Sequence, residues 1–420
     1  MKVLVIGGGG REHAIIKTLK KNPRIKQIYA APGNGGISLD AECIPIKVSD
    51  IPAMTEFAIN NFIDYVVVAP DDPLAAGMVD ALEEKGIRCF GPNKAAARIE
   101  SSKVFSKKLM KKYGIPTAAF ETFSEPQRAS EYLKSEKVSF PVVIKADGLA
   151  LGKGVIIAEN LQESLDAVNE IMQEKKFGNS GANIVIEEYL VGPEVTVLTF
   201  TDGITLKPMI SSMDHKRIYD GNKGPNTGGM GVIAPNPHYT NEIAEICEKT
   251  IFLPTINAMI KEGCPFKGCL YFGLMLTEQG PKVIEYNCRF GDPETQVVLP
   301  LLETDLLEVM EAVTSGSLSK IDIRFSDLHA VCVVLASGGY PSNYKTGIEI
   351  SGLENFENEK VSIFHAGTMY KDGKFLTSGG RVLGISATSS TREKALEKAY
   401  STAKNVYFEG IHYRKDIGMY

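Results

Sequence analysis

The sequence predicts an α/β and α+β multidomain chain: an N-terminal doubly wound parallel-sheet domain, a central domain with a hairpin flap, and a small C-terminal α+β domain. Three observations carry this expectation. Lys2–Ile6 is an apolar run entering Gly7-Gly-Gly-Gly10 and an amphipathic segment, the strand–loop–helix opening of a parallel sheet. Phe140–Ala158 holds two apolar runs around a glycine- and lysine-bearing turn. From about Ile321 the chain restarts with short strands and closes on a helix, and 420 residues exceed what one core supports.

In order, the first strand leads to a helix from Arg11 to about Lys20. A glycine loop there lets backbone N–H groups approach a phosphate at the helix N-terminus. The dinucleotide spacing G-x-G-x-x-G/A fails, because its last position falls on Glu12 or His13, which counts against a nicotinamide-dependent oxidoreductase. Strand Gln27–Ala31 ends in Pro32-Gly-Asn-Gly-Gly36. Strand Tyr65–Ala69 is followed by a loop, Pro70–Leu74, and a helix to Lys85, and Ile87–Phe90 closes the series. Ligands bind outside the carboxyl ends of such strands, so the three loops are expected to share a pocket.

A helix from about Lys94 to Lys112 carries five lysines from Lys103 on, most of them read as a solvated face, and stops at Gly114-Ile-Pro116. In Phe140–Ala158 the pattern G-x3-G-K-G has the wrong spacing for a P-loop, and a strand follows it. It reads as a flap over nucleotide phosphates, with Lys145 beneath and Lys153 at the tip; an ordinary hairpin turn is the plain alternative. Strand Asn183–Ile186 runs into Glu187-Glu-Tyr-Leu190. The Asp214–Gly231 stretch reads as one long polar, glycine-rich loop whose Asp, Lys, Arg and Asn favour function. In the tail, Asp372-Gly373 marks a hairpin and Thr391–Lys404 a helix.

Gly268–Leu276 and Lys282–Asn287 read as paired strands. Period two puts Glu285 and Asn287 on one face, and hard oxygen donors two residues apart suit Mg²⁺ shared with substrate phosphates. Arg289 joins that face if the strand runs so far, and its fork could hold a phosphate or carboxylate. Gly291-Asp-Pro-Glu294 turns and presents two more carboxylates. Taken alone, this pattern also describes an edge strand with a solvated face.

Net charge of −5 and a pI near 5.8 argue against a nucleic-acid partner. Seven scattered cysteines fit reduced thiols, no run is long enough for a membrane span, and a cytoplasmic protein is expected.

Taken together, Gly7–Ala14, Val143–Gly148, Asp214–Arg217, Gly224–Gly231, Asn287–Gln296 and Gly379–Leu383 resemble the phosphoribosylamine–glycine ligase (glycinamide ribonucleotide synthetase) family of the ATP-grasp superfamily, over the whole chain. One departure, Ala69-Pro-Asp-Asp-Pro-Leu74, leaves the roles of Asp71 and Asp72 open.

The resemblance implies a pre-ATP-grasp domain at 1–101, an ATP-grasp domain at 102–320 with a flap at about 120–190, and a C-terminal domain at 321–420. It implies ATP and Mg²⁺ or Mn²⁺ as cofactors, glycine and 5-phosphoribosylamine as substrates, and glycinamide ribonucleotide, ADP and phosphate as products. Glu285 and Asn287 would hold metal, while Lys103, Lys145, Gly152 and Lys153 would bind phosphates. Glu187, Tyr189 and Leu190 would form the adenine hinge, with Glu194 on the ribose. Arg289 would stabilise the transferred phosphoryl, and Asp292, Asp214, Lys216 and Asn226 would meet the substrates. Gly8, Gly9, Gly10, Asn34 and Gly36 would cradle the sugar phosphate. For His13 and His215 a packing or hydrogen-bonding role is at least as well supported as a chemical one. The resemblance favours a monomer, without nucleic acid or membrane, and the lability of phosphoribosylamine raises a transient contact with the preceding enzyme. Rivals are another ATP-grasp ligase of purine synthesis and a non-catalytic nucleotide-binding protein. The Asp214–Gly231 and Asn287–Gln296 motifs oppose the first; intact Glu285, Asn287, Lys145 and Arg289 oppose the second.

Overall fold

A computed structural model describes residues 1–149, 154–174, 176, 178–354 and 360–419. Strands β1 (Lys2–Gly7), β2 (Gln27–Pro32), β3 (Glu42–Cys43), β4 (Tyr65–Val68) and β5 (Arg88–Phe90) form one parallel sheet in the order β3-β2-β1-β4-β5. Val5 pairs with Ala30 on one side and Val67 on the other, so the carboxyl ends of β1, β2 and β4 share one edge. Both faces are covered, which is why Val3–Ile6 is apolar without alternation.

Helices α1 (Gly10–Leu19) and α2 (Ile51–Asn60) flank this sheet. The stretch expected as a loop and one helix to Lys85 is instead two helices, α3 (Asp71–Ala76) and α4 (Met78–Glu83). Gly77 separates them at φ +100°, a left-handed conformation that ends α3.

The expected Lys94–Lys112 helix also breaks, into α5 (Lys94–Ser101) and α6 (Lys103–Tyr113). Ser102 is extended at the break. Its Oγ accepts from the Phe105 N–H at 3.1 Å and donates to Asp147 at 3.0 Å. A serine that finds an N-cap partner leaves the helical conformation. The new start turns Lys103 and Lys107 inward, correcting the solvated-face reading for these two; Lys108, Lys111 and Lys112 remain exposed.

The flap sheet is antiparallel, ordered β6 (Phe120–Phe123), β9 (Ile184–Glu188), β7 (Val142–Ala146), β8 (Val155–Ala158), with the expected β7–β8 hairpin. The helices Pro126–Leu133 and Leu161–Val168 pack on it through Ala129, Leu133 and Val168. The next sheet runs β11 (Leu206–Pro208), β10 (Glu194–Asp202), β16 (Lys267–Thr277), β17 (Gly280–Asn287).

The long polar loop expected at 214–231 is corrected. It contains the hairpin β13 (Arg217–Tyr219) and β14 (Lys223–Asn226), framed by β12 (Met213–Asp214) and β15 (Gly231–Ala234). Both framing strands pair into the tail sheet, β12-β15-β18-β23-β20, with β18 (His329–Ala336), β23 (Arg381–Ser389) and β20 (Val361–His365). Strands this short and glycine-rich carry no alternation; distant partners make them strands. Strand β19 (Glu349–Ile350) joins the tail hairpin β21 (Thr368–Lys371) and β22 (Lys374–Thr377), which turns at left-handed Asp372 and Gly373 as expected. No helix is long and apolar enough to cross a membrane among the described residues.

Candidate active site

Strand β17 supplies the first donors. Glu285 and Asn287 lie on one face, opposite Gly273 and Tyr271 of β16. Among the described residues no hydrogen bond or ion pair engages the Glu285 carboxylate. Burial alone would raise its pKa, but Lys216, Lys145, Lys103 and Arg289 outweigh burial and hold it below the ordinary value. An ionised, unengaged carboxylate beside an amide oxygen fits a hard divalent cation.

Arg289 lies beyond the end of β17, so the shared-face argument stops at Asn287. Its Nη2 is 3.0 Å from Glu100 Oε1, and that carboxylate also accepts the Cys288 N–H at 2.7 Å. Burial lowers the pKa of Arg289, yet Glu100 and Asp71 raise it further, so the guanidinium is permanently charged. Asp71 thereby has a place, in the acidic surroundings of Arg289.

The lysines converge from β7, α6 and the segment between β12 and β13. Lys145 on β7 donates to Glu187 Oε2 at 3.0 Å and to the Ile284 carbonyl at 3.1 Å, tying the flap sheet to β17. Lys103 reaches the Gly148 carbonyl at 2.9 Å, and burial lowers its pKa against the opposing pull of Glu285. Lys107, which the sequence reading passed over, lies 2.9 Å from the same Glu187 oxygen. Its signal was available: four residues after Lys103, it shares that helix face. Gly152 and Lys153 lie outside the described residues. At the end of β9 Tyr189 is exposed and Leu190 half-buried. Glu194 opens β10 with its carboxylate 3.2 Å from Lys216 Nζ, and this carboxylate is the main reason Lys216 stays charged.

The glycine loops meet as expected. A methyl carbon on Gly8 would sit 2.3 Å from the Gly33 carbonyl oxygen, so only glycine allows that approach. Asn34 latches the two loops, donating to the Gly8 carbonyl at 2.9 Å and the His365 carbonyl at 2.8 Å. Its Oδ1 accepts the Gly36 N–H at 2.9 Å. The Gly9 N–H is taken by Glu12 at 2.6 Å, while Gly10 opens α1 against Gln296.

These loops face the segment after β17. Gln296 donates to Asp292 at 2.8 Å, and a methyl carbon on Gly9 would lie 3.3 Å from Asp292 Oδ2. Burial raises the Asp292 pKa, but Arg381 and Arg11 more than offset it and keep the carboxylate ionised. Arg381 of β23 was not singled out from the sequence. Its Nη1 donates to the Gly228 carbonyl at 2.6 Å and the Asp292 carbonyl at 2.7 Å, closing the tail over the site.

Asp214 sits beneath Gly229, where φ of +116° and a methyl carbon 2.6 Å from Asp214 Oδ1 require glycine. Asp214 Oδ1 is buried with no hydrogen-bond partner among the described residues. Burial and nearby Glu294 hold this carboxyl well above its ordinary pKa despite Lys216 and Arg381. Asn226 is exposed on β14, opposite Arg217.

The two motif histidines do structural work. His13 bonds Asp40 at 3.1 Å and accepts the His365 N–H at 2.8 Å. His215 bonds the Gly231 carbonyl at 3.1 Å and accepts the Gly418 N–H at 3.0 Å, and burial pushes its pKa down to about 4. The arrangement gathers ammonium groups around the ionised Glu285 carboxylate and sets the glycine loops against the segment that follows β17, which suits phosphoryl and acyl transfer.

The chain is also similar to known proteins. Residues 1–100, 101–295 and 330–420 match, in turn, the N domain, the ATP-grasp (A) domain and the C domain of phosphoribosylglycinamide synthetase. The chain is 50% identical over 417 residues to the phosphoribosylamine–glycine ligase of Caldanaerobacter subterraneus subsp. tengcongensis, covering 99% of each. It superposes on the crystal structure of the Thermotoga maritima phosphoribosylamine–glycine ligase with a TM-score of 0.86 at 36% identity, over 99% of this chain and 100% of that one. The biotin carboxylase domain of Hydrogenobacter thermophilus 2-oxoglutarate carboxylase, solved with MgADP, ADP and bicarbonate, shares the fold at a TM-score of 0.77 and 18% identity, over 98% and 91% of the chains.

Proposed function

The chain belongs to the phosphoribosylglycinamide synthetase family and is an ATP-dependent ligase of purine biosynthesis, and from that premise we propose how its residues join glycine to 5-phosphoribosylamine. The γ-phosphoryl of ATP passes to the glycine carboxylate, and the amine of phosphoribosylamine attacks the acyl phosphate. Glycinamide ribonucleotide, ADP and phosphate result.

One observation carries this reading: Arg381, Asp292 and Gln296 bring the amino-terminal glycine loops against the segment that follows the Glu285–Asn287 strand. A phosphorylated sugar and a nucleotide can therefore share one cleft. Lys103 and Lys145 bind the ATP phosphates, with Gly152 and Lys153 covering them and excluding water. Glu187, Tyr189 and Leu190 receive the adenine, and Glu194 receives the ribose. Arg289, held by Glu100, stabilises the transferred phosphoryl.

Gly8, Gly9, Gly10, Asn34 and Gly36 cradle the sugar phosphate. Asp214, Lys216 and Asn226 meet the charged ends of glycine, and Asp292 orients the attacking amine. No protein base is required, since the amine is already nucleophilic.

Glu285 and Asn287 would hold Mg²⁺ or Mn²⁺. Among the described residues no cluster of three or more His, Cys, Asp or Glu side chains could cage a metal, so such an ion would draw further ligands from phosphate oxygens. When bound, the ion supplies charge neutralisation at the transferring phosphoryl. We read 1–101, 102–320 and 321–420 as the three functional units, a monomer as the working form, and a brief encounter with the enzyme that makes phosphoribosylamine. Seven free thiols support a cytoplasmic setting.

The test is ADP release with MgATP and glycine alone, freshly made phosphoribosylamine alone, and both. The reading requires both substrates together and glycinamide ribonucleotide by mass. Turnover driven by a different carboxylate or amine would remove the substrate assignment.

A further inference from the structure

Lys107 is among the most buried charged side chains of the protein, with 3% of its side chain exposed. Its Nζ lies 2.9 Å from Glu187 Oε2, the same oxygen that accepts from Lys145 Nζ at 3.0 Å. It also donates to Thr117 Oγ1 at 2.7 Å, and that hydroxyl donates to the Val283 carbonyl at 2.7 Å. Lys107 is therefore fixed against the strand that carries Glu285. Glu187 Oε1 is buried and has no hydrogen-bond partner among the described residues, so the carboxylate makes its pairing through one oxygen. Two ammonium groups on one carboxylate leave a single net positive charge.

We infer that Lys107 is a positioning residue for nucleotide binding: it is the standing counter-charge of Glu187, which frees Lys145 to turn its ammonium toward an incoming phosphate. The inference rests on the reading of Lys145 as a phosphate contact. Its physical basis is a comparison of two terms. A charge-assisted hydrogen bond contributes less, net, than a buried charge stripped of its partner costs. Without Lys107, moving Lys145 would leave Glu187 uncompensated and cancel the phosphate contact. With Lys107 in place the move leaves a paired carboxylate behind. Burial pulls the Lys107 pKa down to about 8 against Glu187 and Glu188, with neighbouring Lys145 pulling the same way as burial, so the ammonium stays charged at neutral pH.

The experiment is steady-state kinetics of the full chain with ATP varied and the other substrates saturating. Lys107→Met is expected to raise the KM for ATP about tenfold or more while kcat changes far less, and Lys107→Arg to restore it. The decisive comparison is Glu187→Gln alone against Lys107→Met/Glu187→Gln. Once the carboxylate is neutral Lys107 has no counter-charge to supply, so the double variant should bind ATP no more weakly than Glu187→Gln; this holds even where Lys107→Met alone does not fold. An unchanged KM in folded Lys107→Met, or a double variant still about tenfold weaker than Glu187→Gln, would overturn the inference. Lys145→Met is the control for the underlying reading. If it leaves the KM for ATP unchanged, the phosphate role of Lys145 falls, whatever Lys107 does.

Discussion

Around β17 the cleft is held by ionised side chains: Lys103, Lys107 and Lys145 face Glu187 and Glu285, and Arg289 faces Glu100. Around the glycine loops it is held mainly by backbone: Gly8 against Gly33, Asn34 bridging carbonyls, and Arg381 donating to two more. On the function proposed above, the first region would transfer a charged group and answers charge with charge, while the second would admit a sugar phosphate and is built from close backbone approach. The contrast predicts that charge changes break the first region, and volume or geometry changes the second.

The largest effect belongs to Glu285→Ala, which should lower kcat by about a thousandfold or more with the thermal midpoint nearly unchanged. Loss of only a few-fold would remove the metal assignment. In the second region, Arg381→Met should lower kcat/KM for phosphoribosylamine by about a hundredfold while leaving the KM for ATP in place. Arg381→Lys should not rescue it, since one ammonium replaces a fork whose Nη1 serves both carbonyls while its Nη2 lies 3.5 Å from Asp292 Oδ1. Gly8→Ala should lower stability by about 1–3 kcal/mol, read from the denaturant midpoint, because the Gly33 carbonyl must move.

Both regions also respond to acid. Burial holds His215 and His365 near pKa values of about 4 and 3, well below the ordinary histidine value of about 6.5. The unfolded chain takes up protons that the folded chain refuses, so stability is full above about pH 6.5 and falls as the pH drops toward about 4. Thermal melts across that range check the sign; a midpoint independent of pH would contradict it.

The same contrast separates what was legible in the sequence from what was not. The strand around Glu285 and Asn287 was readable because period two is local, and the β7–β8 hairpin because its two runs are adjacent. The parallel sheet followed from apolar, mostly β-branched Val3–Ile6. Lys107 escaped because a lysine-rich helix looks solvated until Ser102 breaks it and rotates its second half. Arg381 escaped because its partners, Gly228 and Asp292, lie about 150 and 90 residues away. Strands β12 and β15 were illegible for the same reason: β15 pairs with β18 of the tail, and β12 joins that sheet through β15. The link from Arg289 to β17 depended on the length of the strand, which ends at Asn287.

The central claim is that this cleft activates the glycine carboxylate by phosphorylation before the amine arrives. Glycine carrying heavy oxygen in its carboxylate, turned over with MgATP and phosphoribosylamine, tests it directly by mass spectrometry of the released phosphate. The account predicts that the phosphate gains a heavy oxygen from glycine. Phosphate free of the label, with glycinamide ribonucleotide still formed, would contradict it.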